Sequence, residues 1–189
     1  MTTIEIIATF FGLACVLLTI KENIWCWPAG LVQVSLYIFV FYNAKLYSDM
    51  LLHIVYIFMQ FYGWYFWLYG GKSRNDAEIT SLGKVFYTWL ILIVVGTFFL
   101  GYGMQRYTDA SLPYPDAFTT VASLAAQWLL GKKKLESWIL WISVDIIAIG
   151  VYAKKELYYT TILYSLFFIL AILGFLRWKQ EYREADNTL

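Results

Sequence analysis

Asp145, His53, Gln33, Gln60 and Gln127 are the side chains best able to bind a polar solute or hold a proton, and they stand in stretches that are otherwise apolar and aromatic, such as "DMLLHIVYIFMQFYGWYFW" at 49–67. Asp49, His53, Tyr56, Gln60, Gly63 and Trp67 are spaced four, three, four, three and four residues apart, which is one stripe of a helix. The same arithmetic puts Trp138, Trp141, Asp145 and Tyr152 on one face. Asp116, Thr120, Ser123 and Gln127 lie along another, and Gln33 shares a face with Tyr37. An indole beside a carboxylate suits a flat cation, because the ring face attracts positive charge by about 0.5–2 kcal/mol and the carboxylate neutralises it. The three glutamines offer donors and acceptors to hydroxyl or amide groups. The ligand expected from these residues is small, aromatic, polar and cationic. His53 fits either a hydrogen-bonded packing role or a proton-sensing one. Ser123, Thr119 and Thr120 fit either the solute site or helix-to-helix hydrogen bonds, which are worth about 0.6 kcal/mol each in membrane bundles.

The elements that hold these groups are long apolar runs. Hydrophobic residues make up 61% of the 189, aromatic residues 21% and charged residues only 14%, which is the composition of a membrane protein. One helical crossing of a hydrocarbon core about 30 Å thick takes about 20 apolar residues. Seven runs qualify: Ile4 to Ile20, Ile24 to Tyr42, Leu46 to Leu68, Val85 to Tyr102, Asp116 to Leu130, Trp138 to Ala153 and Leu157 to Trp178. A β-barrel would alternate its side chains, whereas "VFYTWLILIVVGTFFLGY" is apolar on every side. The fold class predicted is therefore an all-α membrane protein of seven transmembrane helices, a single transmembrane domain over 1–189. The first run lacks a signal peptide's basic start and cleavage site and is expected to remain as helix one. Cys15 and Cys26 have no metal-like spacing and read as packing residues. An intramembrane carboxylate costs about 2.5–3.5 kcal/mol on insertion scales, so the polar stripes are expected to face the bundle interior.

Allotting the 14 Lys and Arg residues to loops puts Lys45, Arg106, Lys154 and Lys155 on the side of the N-terminus and the other ten on the opposite side. Basic residues favour the cytoplasmic side, which predicts an outside N-terminus and an inside C-terminus. The run "KKK" at 132–134 reads as a topology anchor, "GGKSRNDAEITSLG" as a flexible connector and "TDASLPYPDA" as a Pro-stiffened external loop. A formal net charge of +1 argues against nucleic acid as a partner. No HExxH, GxSxG or P-loop pattern is present, so an enzyme is not expected, and the last span has no lysine for a retinal Schiff base. A purely structural membrane scaffold stands as the rival reading.

Sliding the chain on itself by 111 residues aligns Leu46 with Leu157, Tyr47 with Tyr158, Leu52 with Leu163, Gly63 with Gly174, Trp67 with Trp178 and Trp27 with Trp138. Two copies of three helices are predicted, about 4–68 and 116–178, with a linker helix at about 85–102. One linker crossing gives the copies the same orientation in the membrane, and parallel-repeat transporters of that kind bind their solute between the halves.

The segments "WPAGLVQVSLYIFVFYNAKLYSDMLLHIVYIFMQFYGWYFW" and "ESWILWISVDIIAIGVYAKKELYYTTILY", with "YGWYFW" and "ESWILW" in corresponding places, resemble the PnuC family of bacterial vitamin transporters over nearly the whole chain. The resemblance implies a three-plus-one-plus-three bundle related to the SWEET sugar transporters. It also implies uptake of nicotinamide riboside by facilitated diffusion through the bacterial inner membrane, with the vitamin trapped by a cytoplasmic kinase. No cofactor or metal is implied, and a homo-oligomer is compatible with it. The family's helix-six tryptophan pair falls on Trp138 and Trp141, and the polar position a turn on, often an amide, is Asp145 here. A helix-three position that is commonly glutamine is His53, which leaves thiamine and riboflavin as alternative substrates. The substrate-binding set is thus expected to comprise Trp138, Trp141, Asp145, His53, Gln60, Tyr56, Gln33 and Gln127.

Overall fold

The computed structural model describes residues 3–43, 47–71, 77–108, 111–154 and 156–186. Lys45, Leu46, Lys72, Arg74 and Lys155, used above for orientation or alignment, lie outside them, as do the side chains of Tyr47 and Asp49. Among the described residues seven helices follow one another: α1 (Thr3–Ile20), α2 (Cys26–Asn43), α3 (Tyr47–Tyr69), α4 (Val85–Tyr107), α5 (Pro113–Gly131), α6 (Ser137–Lys154) and α7 (Tyr158–Asp186). The only β feature among the described residues is an isolated parallel bridge between Thr80 and Lys134. By length and composition alone, α1, α3, α4, α6 and α7 could each cross a bilayer. The large exposed side chains are apolar or aromatic, among them Phe10, Phe39, Phe58, Ile91, Val94 and Phe99, as befits helices that meet lipid over most of their outer faces. The protein is a multi-pass membrane protein.

Three boundaries move from the sequence reading, the first being the end of α4, which runs on from Tyr102 to Tyr107. α5 begins at Pro113 instead of near Asp116, so "PYPD" is helical. Proline is tolerated in a first turn, where its missing N–H would have had no partner. α7 runs on past Trp178 to Asp186, and its polar end is held by Arg177–Glu181 and Gln180–Glu184 pairs one turn apart.

The chain divides into two compact units. The first comprises Met1–Glu78 with Gly131–Lys133, the second Ile79–Leu130 with Lys134–Leu189. In the first, α1 packs on α2 and α2 on α3. Its centre is a perpendicular pair of indoles, Trp27 and Trp67, with ring centroids 5.3 Å apart at 87°. Gly63 makes room for that pair, since a Cβ there would fall inside the Trp27 ring. In the second, α6 packs on α7, and Trp138 and Trp178 form a pair at 5.4 Å and 88° with Gly174 beneath. Ile93 of α4, Ala122, Ala125, Ala126 and Leu129 of α5, and Leu140 and Val144 of α6 make a hydrophobic cluster in the same unit. Alanines in that position let membrane helices approach closely.

These notches yield a direct test. Gly63→Ala and Gly174→Ala should each cost about 1–3 kcal/mol, because a rigid indole cannot step aside. Gly103→Ala, where a Cβ would meet nothing within 4 Å, should be neutral or mildly stabilising. Thermal unfolding of the purified variants in detergent reads the difference, and equal melting points for all three would refute the packing argument.

Short turns join α1 to α2 and α5 to α6. At the end of α1 the Asn23 N–H donates to Leu18 O at 2.9 Å and Glu22 N–H to Thr19 O at 3.0 Å, the Schellman arrangement. At the end of α5, Lys134 N–H donates to Leu129 O at 2.9 Å. The residues that turn the chain are Glu22 at φ 50° and Lys133 at φ 49°. Glycine would adopt this left-handed conformation at no steric cost, whereas an L side chain pays about 1–2 kcal/mol.

Candidate functional site

The helical stripes read from the sequence point inward. On α3, Gln60, Gly63 and Trp67 are buried and His53 and Tyr56 half-buried, while Leu51, Val55, Phe58, Phe61 and Tyr65 on the other side are exposed. On α6, Asp145 is 4% exposed and Trp138 2%, with Ile146 and Ile147 outside. On α5, Ser123 and Gln127 are both buried. The physical cause is the same throughout: hydrocarbon offers no partner to a polar group.

The first unit carries Gln33, His53, Tyr56 and Gln60. His53 is ringed by aromatic side chains, with centroids 5.7 Å from Tyr37, 4.9 Å from Phe41 and 5.6 Å from Tyr56. This enclosure orients the imidazole from both α2 and α3. Gln60 lies with its amide against Gly30 of α2, and its Oε1 is buried with no hydrogen-bond partner. Gln33 lies in the same way against Gly12 of α1, where a Cβ would come 2.9 Å from Nε2.

The second unit carries Gln127, Trp138, Trp141 and Asp145. Trp141 is half-buried and packs against the α4–α5–α6 cluster, one helical turn before Asp145. Among the described residues neither the Asp145 carboxylate nor the Gln127 amide has a hydrogen-bond or ion-pair partner, although both side chains are buried. The hydroxyls of α5 differ: Thr119 and Thr120 both donate to Asp116 O at 2.9 Å, and Ser123 to Thr120 O at 3.1 Å, so backbone carbonyls already satisfy them. Trp138 is enclosed by Trp178 and Gly174, with its Nε1 buried and unpartnered. Within the second unit a carboxylate, an amide and an indole N–H thus have polar capacity unused among the described residues. No group of three or more His, Cys, Asp or Glu side chains able to hold a metal exists among the described residues.

Several polar contacts escape sequence reading. Lys133, taken above as part of a topology anchor, is buried, and its Nζ donates to Glu22 Oε2 at 2.6 Å and stands 4.7 Å from the Trp67 ring centroid. The connector before α4 is partly docked instead of free. Ala77 and Ile79 are buried, Leu135 N–H donates to Thr80 O, and Glu136 Oε1 accepts from Ser81 Oγ at 2.5 Å and Leu82 N–H at 2.8 Å. Residues 54 and 55 apart make the Glu136 contacts, so no local pattern announces them.

Comparison with known proteins adds a consistent picture. The family profile "Nicotinamide mononucleotide transporter" matches residues 2–180. The nicotinamide riboside transporter PnuC of Escherichia coli (strain K12) is 25% identical over 211 residues, covering 97% of this chain and 88% of its own. That of Neisseria mucosa is 29% identical over 187 residues, at 92% and 71% coverage. The riboflavin/roseoflavin transporter RibM of Streptomyces davaonensis is 22% identical over 181 residues, at 92% and 83%. A crystal structure of the vitamin B3 transporter PnuC superposes with a TM-score of 0.75 and 27% identity, over 94% of this chain and 81% of that one.

Proposed function

This chain belongs to the nicotinamide mononucleotide transporter family, and we propose that it carries nicotinamide riboside across the bacterial inner membrane by facilitated diffusion. The family is one of transporters, not enzymes. The observation that carries the substrate class is the buried, unpartnered Asp145 carboxylate one turn from Trp141. A permanently cationic pyridinium ring matches that pair, by charge to the carboxylate and by ring face to the indole. Gln127 supplies amide contacts in the same unit, and Trp138 fixes the height and rotation of α6 through its packing on Trp178. In the first unit we assign Gln33, Gln60, Tyr56 and His53 to recognition, the glutamines toward hydroxyl or amide groups. Thiamine shares the cationic aromatic ring and is the second reading; riboflavin, the substrate named for the Streptomyces relative, is neutral and fits Asp145 less well.

The architecture we assign is two parallel three-helix repeats flanking α4, in the manner of the SWEET transporters. Its support is the 111-residue offset that relates Trp27–Trp67 over Gly63 to Trp138–Trp178 over Gly174, and φ 50° at Glu22 to φ 49° at Lys133. It extends to His53, Phe41 and Tyr56, whose counterparts Tyr164, Tyr152 and Phe167 have centroids 5.1 and 6.0 Å apart in the same order. The N-terminus is placed outside and the C-terminus inside by the loop charges. A cytoplasmic kinase would trap the product.

Proteoliposome uptake of labelled nicotinamide riboside and thiamine tests the function. Saturable flux that equilibrates without accumulation, unchanged by a pH gradient, is expected for the riboside. Absence of saturable flux for both solutes would end the proposal, and accumulation without a trapping kinase would end facilitated diffusion.

A further inference from the structure

Two glutamines of the first unit rest on glycines of the neighbouring helix, Gln33 on Gly12 and Gln60 on Gly30. At Gly30 the fit is tight: an added Cβ would overlap the Gln60 Nε2 and lie 2.9 Å from the amide carbon and 3.0 Å from Oε1, so the amide would have to shift. The positions 111 residues on are Ser123 and Val144 for the first pair, Trp141 and Ala171 for the second. So where the second unit has a large residue on its middle helix and a small one on its last, the first has the reverse. In the Gly30 pair the glycine and the glutamine go together, which marks Gly30 as a notch for an amide and not as a general device for helix packing; the Gly12 pair lacks this reversal, since its counterpart keeps a small residue, Ser123. Gln60 is 6% exposed, and its Oε1 is sealed among neighbours that give it no hydrogen. A carbonyl oxygen buried in a membrane bundle without a donor is a costly arrangement unless something else brings the donor.

We infer that Gly30 is a positioning residue, which holds the Gln60 amide so that Oε1 takes a hydrogen bond from a hydroxyl or amide N–H of the transported solute. This rests on the transport function proposed above and narrows its substrate class: the solute must carry a donor at this point as well as a cationic ring. Gly30 itself touches no solute. Its effect passes through the amide, so replacing it should change which solutes are preferred more than how fast the protein turns over.

The test is competitive uptake into proteoliposomes, with nicotinamide riboside and analogues that each lack one donor: the 2′-deoxy, 3′-deoxy and 5′-deoxy ribosides and the acid that replaces the carboxamide. The intact protein should disfavour one of these analogues on the order of tenfold, the worth of one hydrogen bond to a buried group. Gln60→Leu should abolish that preference. Gly30→Ala should abolish it too, leave uptake of the disfavoured analogue at its original rate, and add nothing to Gln60→Leu in the double variant. Gly30→Ala combined with Gln60→Asn, whose shorter side chain clears the new methyl, should recover part of the preference. If Gly30→Ala keeps the preference, or slows every solute alike, the positioning role is wrong although transport stands. If the intact protein takes up none of the panel, the transport reading itself fails and this inference falls with it.

Discussion

Asp145→Asn should lower the uptake efficiency for nicotinamide riboside by about 10- to 100-fold, the loss of one hydrogen bond to a charged group together with its charge. The substitution keeps the size and shape of the side chain, so packing in the α4–α5–α6 cluster is untouched. A buried carboxylate without a partner stabilises nothing, and an amide is cheaper to hold in a membrane interior. The melting point of the purified variant in detergent should therefore stay level or rise while transport collapses. If Asp145 instead glued helices together, the melting point would fall and uptake would follow expression. Trp141→Ala should cost about 2- to 30-fold in efficiency, the range of a cation–π contact, with Trp141→Phe in between. A neutral flavin tested against Asp145→Asn would show little change. A loss as large for the flavin as for the pyridinium riboside would refute the charge argument.

The second large effect belongs to stability. Glu22→Gln should destabilise the protein by about 3–5 kcal/mol, because it leaves the Lys133 ammonium buried without its counter-charge. The side chains of the pair are 8% and 26% exposed, so water reaches the carboxylate more than the ammonium. Lys133→Met removes the buried charge altogether and should cost less than Glu22→Gln. The double variant should lie closer to Lys133→Met than the sum of the single effects predicts, a coupling that thermal unfolding measures directly. Part of the Lys133 contribution is its approach to the Trp67 ring face at 4.7 Å, so Trp67→Leu should weaken that coupling. Additive effects in the cycle would mean that the pair is incidental. Both residues occupy the left-handed turn positions after their helices, where glycine would cause no strain. Charged side chains at strained positions point to the pair itself as the reason they are there.

How much of this was legible beforehand follows from where the information lies. The seven helices, the inward stripes on α3 and α6 and the matching Trp and Gly positions depend on periodicity and on hydrocarbon's intolerance of polar groups. Both are local properties, and a linear chain displays them. The early start of α5 at Pro113 and the extension of α7 to Asp186 were missed because proline and charge usually end a span, although neither breaks a helix at its first turn or in water.

What the amino-acid order determined by itself was the class of protein, the number of helices and the polar face of α3, α5 and α6. Only the tertiary structure decided which polar groups find partners. Thr119, Thr120 and Ser123 satisfy themselves on their own helix, Lys133 finds Glu22, and Glu136 finds Ser81 and Leu82, whereas Asp145, Gln127 and the Gln60 carbonyl are left without any among the described residues. Hydrogen bonds and ion pairs act over about 3 Å. Partners 54 to 111 residues apart come within that distance only after the helices have packed.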